Sequence, residues 1–191
     1  MSGQNFSGRI SPEYHFNPNV MAYFTFSTGY KPAGIAFVGN VYDPYHKETV
    51  RSYEAGLKSE WMHHKLRLNM DVFREDFTNF QATVLTPVPA GNGTTILTSA
   101  IGNAGGLVSQ GVEGNVAYKP IPDLTFSGSV SFTDAHFTDY QPKPTVSYTN
   151  TRLTNSPVWS ANAYVDYHHD LTPSLGVQAH LDYAYRGTTW T

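Results

Sequence analysis

The chain has 191 residues, a formal net charge of −3, 14% aromatic residues and no cysteine. This length allows one domain with a hydrophobic core, and the weak charge without any basic run excludes a surface that tracks a nucleic-acid backbone. The lack of cysteine excludes a disulfide framework, a thiolate zinc site and a thiol nucleophile. No segment approaches 18 consecutive apolar residues, which argues against a transmembrane helix. A membrane β-barrel stays open, because its alternating strands give only a weak hydropathy signal.

Apolar residues recur at every second position in about eight runs, the pattern of β-strands with one apolar and one polar face. The runs cover about 6–16, 20–30, 49–61, from 66 onward, two stretches within 102–140, 159–168 and 175–186. Pro12 in the first run predicts an edge strand or a bulge. In the fourth run the alternation blurs past Phe73. No helical periodicity competes, so we predict an all-β antiparallel fold of about eight strands and no helix.

The connections between these runs alternate strictly between short and long. Short turns are predicted at about 17–19, 62–65, 119–123 and 169–173, and long loops at about 32–48, 86–99 and 141–157. Antiparallel strands joined in this way place every short turn at one end of the sheet and every long loop at the other. Bacterial outer-membrane barrels show this asymmetry, so the pattern favours an up-and-down transmembrane β-barrel segment.

Each strand that enters a short turn carries an aromatic residue near its end, on the apolar side. These four residues are Phe16, Trp61, Tyr118 and Tyr167. Aromatic rings favour the headgroup zone of a bilayer, so the four predict a membrane girdle at the short-turn end, with outer-membrane lipid as partner.

The opposite sides of the strands carry charged and amide side chains of both signs. A barrel would place them in its lumen: Glu54, Lys58, Arg67, Asn69, Asp71, Glu113 and Asn115. A soluble β-sandwich with one wet outer face accounts for the same alternation. A sandwich that binds ligands through its long loops, as lectins do, is therefore the alternative interpretation.

Few residues have the arrangement that catalysis or metal binding needs. The pairs His63–His64 and His168–His169 lie at short turns, and neighbouring strand residues point to opposite faces, so no metal site is predicted. Adjacent carboxylates such as Glu75 and Asp76 diverge in the same way, and no nucleophile elbow or zinc-binding helix motif occurs. We therefore expect neither an enzyme nor a cofactor.

Five segments resemble the barrel of TonB-dependent outer-membrane receptors, in the order found in that family. They are 19–35, 48–61, 66–81, 102–120 and 124–140. Two of them resemble familiar strands of the family: Glu48-Thr49 through Glu54 with Gly56-Leu57-Lys58, and Asn103-Ala104-Gly105 followed by Ser109-Gln110-Gly111-Val112-Glu113. The resemblance covers nearly the whole chain outside the long loops.

The resemblance implies a 22-stranded barrel, with an N-terminal plug, in the bacterial outer membrane. Such a receptor takes up a scarce nutrient, with a ferric siderophore first among the expected ligands, and is energised by the TonB complex through the plug. The sequence shows no plug, TonB box, signal peptide or closing strand. We therefore expect residues 1–191 to be an internal part of the second half of the barrel, inactive in transport alone.

In a receptor of this kind the long loops and upper lumen would contact the ligand. Aromatic residues there are candidates because they grip flat or apolar ligands and sugars. The candidate ligand-binding residues are Tyr42, Tyr45, His46, Tyr140 and Tyr148. The alternative is that these tyrosines only pack one loop against another.

Overall fold

The computed structural model describes residues 5–38, 41–91, 93–141 and 146–190, in which every regular element is a β-strand. The thirteen strands are β1 (Gly8–Ile10), β2 (Glu13–Asn17), β3 (Val20–Lys31), β4 (Gly34–Val38), β5 (Val41–Tyr45), β6 (Glu48–Trp61), β7 (Leu66–Thr78), β8 (Gln81–Gly91), β9 (Thr94–Asn103), β10 (Gly106–Ile121), β11 (Leu124–Asp139), β12 (Trp159–Thr172) and β13 (Leu175–Arg186). In these ranges there is no helix that could span a bilayer. The predicted all-β class is confirmed.

Nine strands form one antiparallel sheet in the order β1–β3–β6–β7–β10–β11–β12–β13, and β2 also pairs with β3. Within the described residues β13 pairs with β12 alone, and β1 and β2 pair with β3 alone, so this sheet does not close on itself. No second large sheet faces the first within these ranges, unlike the sandwich of the alternative interpretation. The N-terminal run is divided at Ser11–Pro12 and lies at the sheet edge, as the proline predicts.

Two of the three predicted long loops are wrong, because each contains a hairpin. Strands β4 and β5 form a two-stranded sheet within 32–48, and β8 and β9 form another across 86–99. The prolines Pro87 and Pro89 favoured a loop, but a hairpin strand with a free edge tolerates proline. The described residues of the third connection form no strand, but the backbone of 148–153 hydrogen-bonds to the end of β11, and Arg152 forms an isolated bridge with His136.

The two faces of the large sheet differ in chemistry, and we name them by their residues. The tryptophan face carries Trp61 and Trp159, and the glutamate face carries Glu54 and Glu113. Between the short turns and the row Val72–Val112–Phe132, which we call the turn-end half, the tryptophan face is apolar and the glutamate face is polar. This half follows the predicted alternation.

Beyond that row, in the loop-end half, the two faces exchange character on β7, β10 and β11. The tryptophan face now carries polar and charged side chains, namely Arg74, Asp76, Gln110, Asp134 and His136. The glutamate face now carries Phe77, Leu107 and Phe137. The alternation past Phe73 therefore inverts instead of ending, which is why β7 continues to Thr78 although its sequence seemed to blur.

Candidate functional site

The loop-end half holds a hydrophobic cluster on the glutamate face. Leu107 is 2% exposed, Ala104 1% and Phe137 8%, and Phe77 and Phe80 pack against them. The ring centroids of Phe77 and Phe80 lie 5.6 Å apart and those of Phe80 and Phe137 lie 6.3 Å apart, both edge to face. This cluster packs the glutamate face of the loop-end half through contacts between aromatic rings.

Tyr140 and Tyr148 lie on the edge of this cluster, in contact with each other. The Tyr140 ring is 5.0 Å from that of Phe137 and 5.5 Å from that of Tyr148, and the Tyr148 amide donates to the Tyr140 carbonyl at 2.8 Å. Burial, followed by the charge of Tyr148, raises the pKa of Tyr140 above its ordinary value. Tyr148 keeps 45% of its surface exposed, so the pair offers one anchored ring and one accessible ring.

The other three predicted ligand-binding residues lie on or beside the hairpin β4–β5. Tyr42 is 69% exposed and packs edge to face on Phe37 at 5.0 Å, and Tyr45 covers Gly34. His46 is linked through its backbone to Asn103: its amide donates to Asn103 Oδ1 at 2.7 Å, and its carbonyl accepts from Asn103 Nδ2 at 3.1 Å. The position of His46 is therefore fixed by hydrogen bonds of its backbone to the Asn103 side chain.

A buried glutamate fixes the bases of the two hairpins. Glu48 is 3% exposed, and its carboxylate accepts from Lys31 Nζ at 3.0 Å and from the Gln81 amide at 2.6 Å. The Gln81 side chain donates in turn to the carbonyls of Pro32 and His46. A buried charge with these partners ties both hairpins to the wall of the sheet.

A cavity of about 440 Å³ opens between the hairpin β8–β9 and the ends of β10 and β11. Its lining combines apolar and hydrogen-bonding groups, contributed by Asn79, Val84, Leu85, Asn103, Gly105, Asp139, Tyr140 and Gln141. Asn103 lines this cavity and also holds His46, so the structure brings the two groups of candidates to one region. A pocket with an aromatic wall and a few polar groups is the usual form of a small-molecule site.

All seven residues predicted to face a lumen lie on the glutamate face. Asn69 Nδ2 donates to Asn115 Oδ1 at 2.9 Å, and Arg67 forms an ion pair of 3.1 Å with Glu60. The Lys58 ammonium lies 4.9 Å from the centroid of the Tyr23 ring. These contacts run across neighbouring strands and make the face a continuous polar surface.

The acidic members of this face line a recess of about 280 Å³. Glu54, Asp71 and Glu113 lie in it together with Ser52, Phe73 and Glu75. Two of them have hydrogen-bond donors: Tyr23 Oη donates to Glu54 at 2.5 Å, and Ser131 Oγ donates to Glu113 at 3.2 Å. In the described ranges no three potential metal ligands form a cluster.

The four predicted girdle residues lie at the turn end of the tryptophan face. Trp61 and Tyr118 both pair with Leu66 and so share one level, and Trp61 is 50% exposed. Phe16 packs edge to face on Tyr14 at 5.0 Å, and Tyr167 pairs with Leu124.

Sequence reasoning missed two residues and one hydrophobic cluster of the site, and one feature of the sheet surface. It did not assign Glu48 or Asn103, because their partners are distant in sequence. It missed the second aromatic level, where Phe132 and Trp159 lie 5.0 Å apart at the border between the two halves. It also missed the cluster around Leu107, although charged residues on the apolar parity of β7 were a signal that the faces exchange.

Comparison with known proteins agrees with this architecture. Residues 1–191 match the family model "TonB dependent receptor-like, beta-barrel". The structure is similar to the ferric yersiniabactin uptake receptor FyuA from Yersinia pestis, with a TM-score of 0.70 and 20% identity, covering 92% of this chain and 25% of that one. It is also similar to the siderophore receptor PirA from Pseudomonas aeruginosa, with a TM-score of 0.64 and 16% identity, covering 95% and 34%.

A third similar structure is the alcaligin receptor FauA from Bordetella pertussis, with a TM-score of 0.59 and 18% identity, covering 95% of this chain and 30% of that one. The chain thus spans a quarter to a third of the receptors it matches. At these identities the structures establish the fold, and the family model establishes the family. TonB-dependent receptors are transporters and not enzymes. The chain belongs to the TonB-dependent receptor-like β-barrel family of the bacterial outer membrane.

Proposed function

We propose that the full protein containing this chain takes up a scarce nutrient across the outer membrane, and that the nutrient is a ferric siderophore. The observation that carries this proposal is the family match over residues 1–191. The choice of ligand class is supported by the similar structures, which are named as receptors for ferric yersiniabactin, alcaligin and other siderophores.

In this proposal the two faces of the sheet have separate tasks. The tryptophan face contacts lipid in the turn-end half, with Phe16, Trp61, Tyr118 and Tyr167 in the girdle. The glutamate face lines the lumen and presents its seven polar residues to water or to a plug. In barrels of this type the short turns are periplasmic and the long connections extracellular, so the loop end meets the ligand first.

The ligand contacts assigned to the loop end follow from its geometry. The cavity beside Tyr140 accepts an apolar or aromatic part of the ligand, while Tyr148 closes over it from the exposed side. A second side of the proposed ligand site is formed on and beside the neighbouring hairpin, by Tyr42, Tyr45 and His46. In the proposal the TonB complex acts on a plug domain. The 191 residues alone are expected not to transport, since the described sheet has open edges at β1 and β13.

The test is siderophore binding and uptake by the full-length receptor in a strain that lacks its own copy. The double variant Tyr140→Ala/Tyr148→Ala is expected to weaken ferric-siderophore binding by about tenfold or more. Tyr183→Ala, an exposed tyrosine on the tryptophan face of β13, is the matched control and should bind normally. If deleting the gene leaves growth on every ferric siderophore unchanged but abolishes growth on another nutrient, the ligand class is wrong.

A further inference from the structure

The hairpin β4–β5 leaves the large sheet above the last paired residues of β3 and β6, which are Lys31 and Glu48. Within the described residues, no backbone hydrogen bond joins this hairpin to the hairpin β8–β9 or to the large sheet. The hairpin β8–β9 is different, because backbone hydrogen bonds of 2.7 Å link Phe80 to Ala104 and Gly105 at its base. The position of β4–β5 therefore depends on side chains.

Two side-chain amides hold both ends of this hairpin, and we call Gln81 and Asn103 the amide clamp. They are cross-strand partners at the base of β8–β9. Gln81 Nε2 donates to the Pro32 carbonyl at 2.9 Å, where the hairpin begins, and to the His46 carbonyl at 3.0 Å, where it ends. Asn103 Oδ1 accepts from the His46 amide at 2.7 Å, and Asn103 Nδ2 donates to the His46 carbonyl at 3.1 Å. The clamp thus fixes both ends of β4–β5 to the base of the neighbouring hairpin.

The amide clamp is itself fixed to the large sheet. The Gln81 amide donates to the Glu48 carboxylate at 2.6 Å, and Asn103 Nδ2 donates to the Asn79 carbonyl at 2.7 Å. Glu48 is buried and paired with Lys31, so displacing Gln81 would leave a buried carboxylate with one hydrogen bond fewer, which is costly. The ends of β4–β5 are therefore positioned relative to the sheet through the clamp.

The side-chain N–H groups of the amide clamp are all in use. Glutamine and asparagine each offer two such groups, and in Gln81 and Asn103 every one of them meets a carbonyl oxygen. Asn103 nevertheless lines the cavity beside Tyr140 that is proposed to receive the ligand. The clamp therefore acts on ligand binding through the hairpin that it holds, and not by donating hydrogen bonds to the ligand.

One further side-chain hydrogen bond joins the two hairpins farther from the sheet. Thr86 Oγ1 donates to Asp43 Oδ2 at 3.1 Å, and Thr86 is 9% exposed. A single hydrogen bond allows rotation about its axis, whereas the amide clamp holds the hairpin β4–β5 at two separate points. Opening the clamp should therefore let β4–β5 swing about the contact between Thr86 and Asp43.

We propose that Gln81 and Asn103 are positioning residues that hold the hairpin β4–β5 beside the ligand cavity. With the amide clamp closed, this hairpin is ordered before the ligand arrives, so binding does not have to supply the free energy of ordering it. With the clamp open, a ligand that contacts the hairpin must order it first and binds more weakly. The inference rests on the proposed function for the identity of the ligand, while the hold on the hairpin is measurable without any ligand.

The experiment measures the motion of both hairpins by spin labelling of the purified full-length receptor. The 191 residues contain no cysteine, so Ile35→Cys on β4 and Ile96→Cys on β9 each add one labelling site to this chain. The two isoleucines are similarly exposed, at 45% and 54%. In the clamp variant Gln81→Met/Asn103→Leu, the label at position 35 should change from a slow to a fast spectral component. The label at position 96 should stay as in wild type, because backbone hydrogen bonds hold the base of β8–β9.

A matched control and a ligand measurement separate positioning from a general loss of structure. Asn162→Leu/Gln178→Met makes the same two exchanges at exposed positions of β12 and β13 and should leave both labels unchanged. The ferric siderophore that supports growth in the uptake test should bind the clamp variant about fivefold or more weakly than this control. Because coupling is reciprocal, the same siderophore should slow the label at position 35 in the clamp variant.

The outcomes distinguish this inference from the proposed function. An unchanged label at position 35 in the clamp variant, or an equal gain of motion at position 96, would overturn the inference. Unchanged siderophore affinity together with a mobile hairpin would overturn the role of the amide clamp in binding. If wild type binds no ferric siderophore, the proposed function fails, while the label at position 35 still decides whether the clamp holds the hairpin.

Discussion

The turn-end and loop-end halves of β7, β10 and β11 are parts of the same strands, yet most of their large apolar side chains lie on opposite faces. In the turn-end half Met70 and Val116 lie on the tryptophan face, 57% and 39% exposed in this chain. In the loop-end half the buried cluster residues Leu107 and Phe137 lie on the glutamate face, while the tryptophan face keeps the buried apolar residue Val108, which is 6% exposed. The backbone hydrogen bonds between these strands continue through both halves, so strand pairing does not determine which face carries the apolar side chains. In the proposed receptor the surroundings account for the exchange, because lipid would surround the barrel at one level and water at the other.

The largest loss of stability is expected from a substitution that creates a cavity in the loop-end half. Leu107→Ala removes a side chain that is 2% exposed in the cluster with Phe77 and Phe137, and should cost about 2–5 kcal/mol. Met70→Ala, on the lipid side of the turn-end half, should cost much less because lipid chains can fill the gap. The measurement is the free energy of unfolding of the full barrel in vesicles, and equal losses for the two variants would refute the division into halves.

A charge moved along one face of β10 should show where that face leaves the membrane. Val116→Arg, in the turn-end half, should cost about 2–4 kcal/mol, whereas Gln110→Arg, on the same face in the loop-end half, should cost about 0–1 kcal/mol. The same vesicle unfolding assay measures both. Similar costs at the two positions would mean that the tryptophan face meets one solvent along its whole length.

Two glycines on β10 should differ because they lie on different faces. A Cβ on Gly111 would overlap the carbonyl oxygen of Phe132 and press on the Phe73 ring, so Gly111→Ala should destabilise the barrel by about 1–3 kcal/mol. Gly114→Ala has free space and should be neutral or slightly stabilising, since alanine restricts the unfolded chain. Thermal unfolding of the two variants side by side tests this, and a larger loss at Gly114 would contradict it.

The smallest effect concerns the ionisation of Tyr140. Burial, followed by Tyr148, raises its pKa above the ordinary value of 10.0. At a pH at which this phenol begins to ionise in the unfolded chain, the folded state thus still keeps it neutral. Its contribution to stability is intact below about pH 10 and is lost as the pH rises through the raised pKa. Tyrosinate absorbance of wild type against Tyr140→Phe measures the step, and a step below pH 10 would contradict burial of this ring.

The sequence was sufficient to predict the strands of the turn-end half and their faces. Alternation on β6, β7 and β10 placed the seven polar residues on one side, and alternation on β6, β10 and β12 placed Trp61, Tyr118 and Tyr167 on the other. It was also sufficient for the edge position of the run with Pro12. These features depend on local side-chain period, which one sequence records directly.

The rest depended on contacts that local pattern does not record. Alternation predicts two faces but does not say which one is buried. The exchange of apolar and polar faces past Phe73 was therefore interpreted as a loss of alternation. The hairpin β8–β9 was hidden because Pro87 and Pro89 are strong loop signals. The partners of Glu48 and Asn103 lie on other strands and hairpins, so these two residues could not be found without the fold.

The hairpin β8–β9 leaves the sheet between two strands that pair directly with each other. β7 and β10 are in register from Phe77–Leu107 down to Leu66–Tyr118, and the excursion closes through mutual backbone hydrogen bonds of 2.7 Å that link Phe80 to Ala104 and Gly105. The two ends of this hairpin therefore meet, and the large sheet is continuous from β7 to β10 without it. Substitutions at the far end of this hairpin are therefore expected to leave the pairing of β7 with β10 intact.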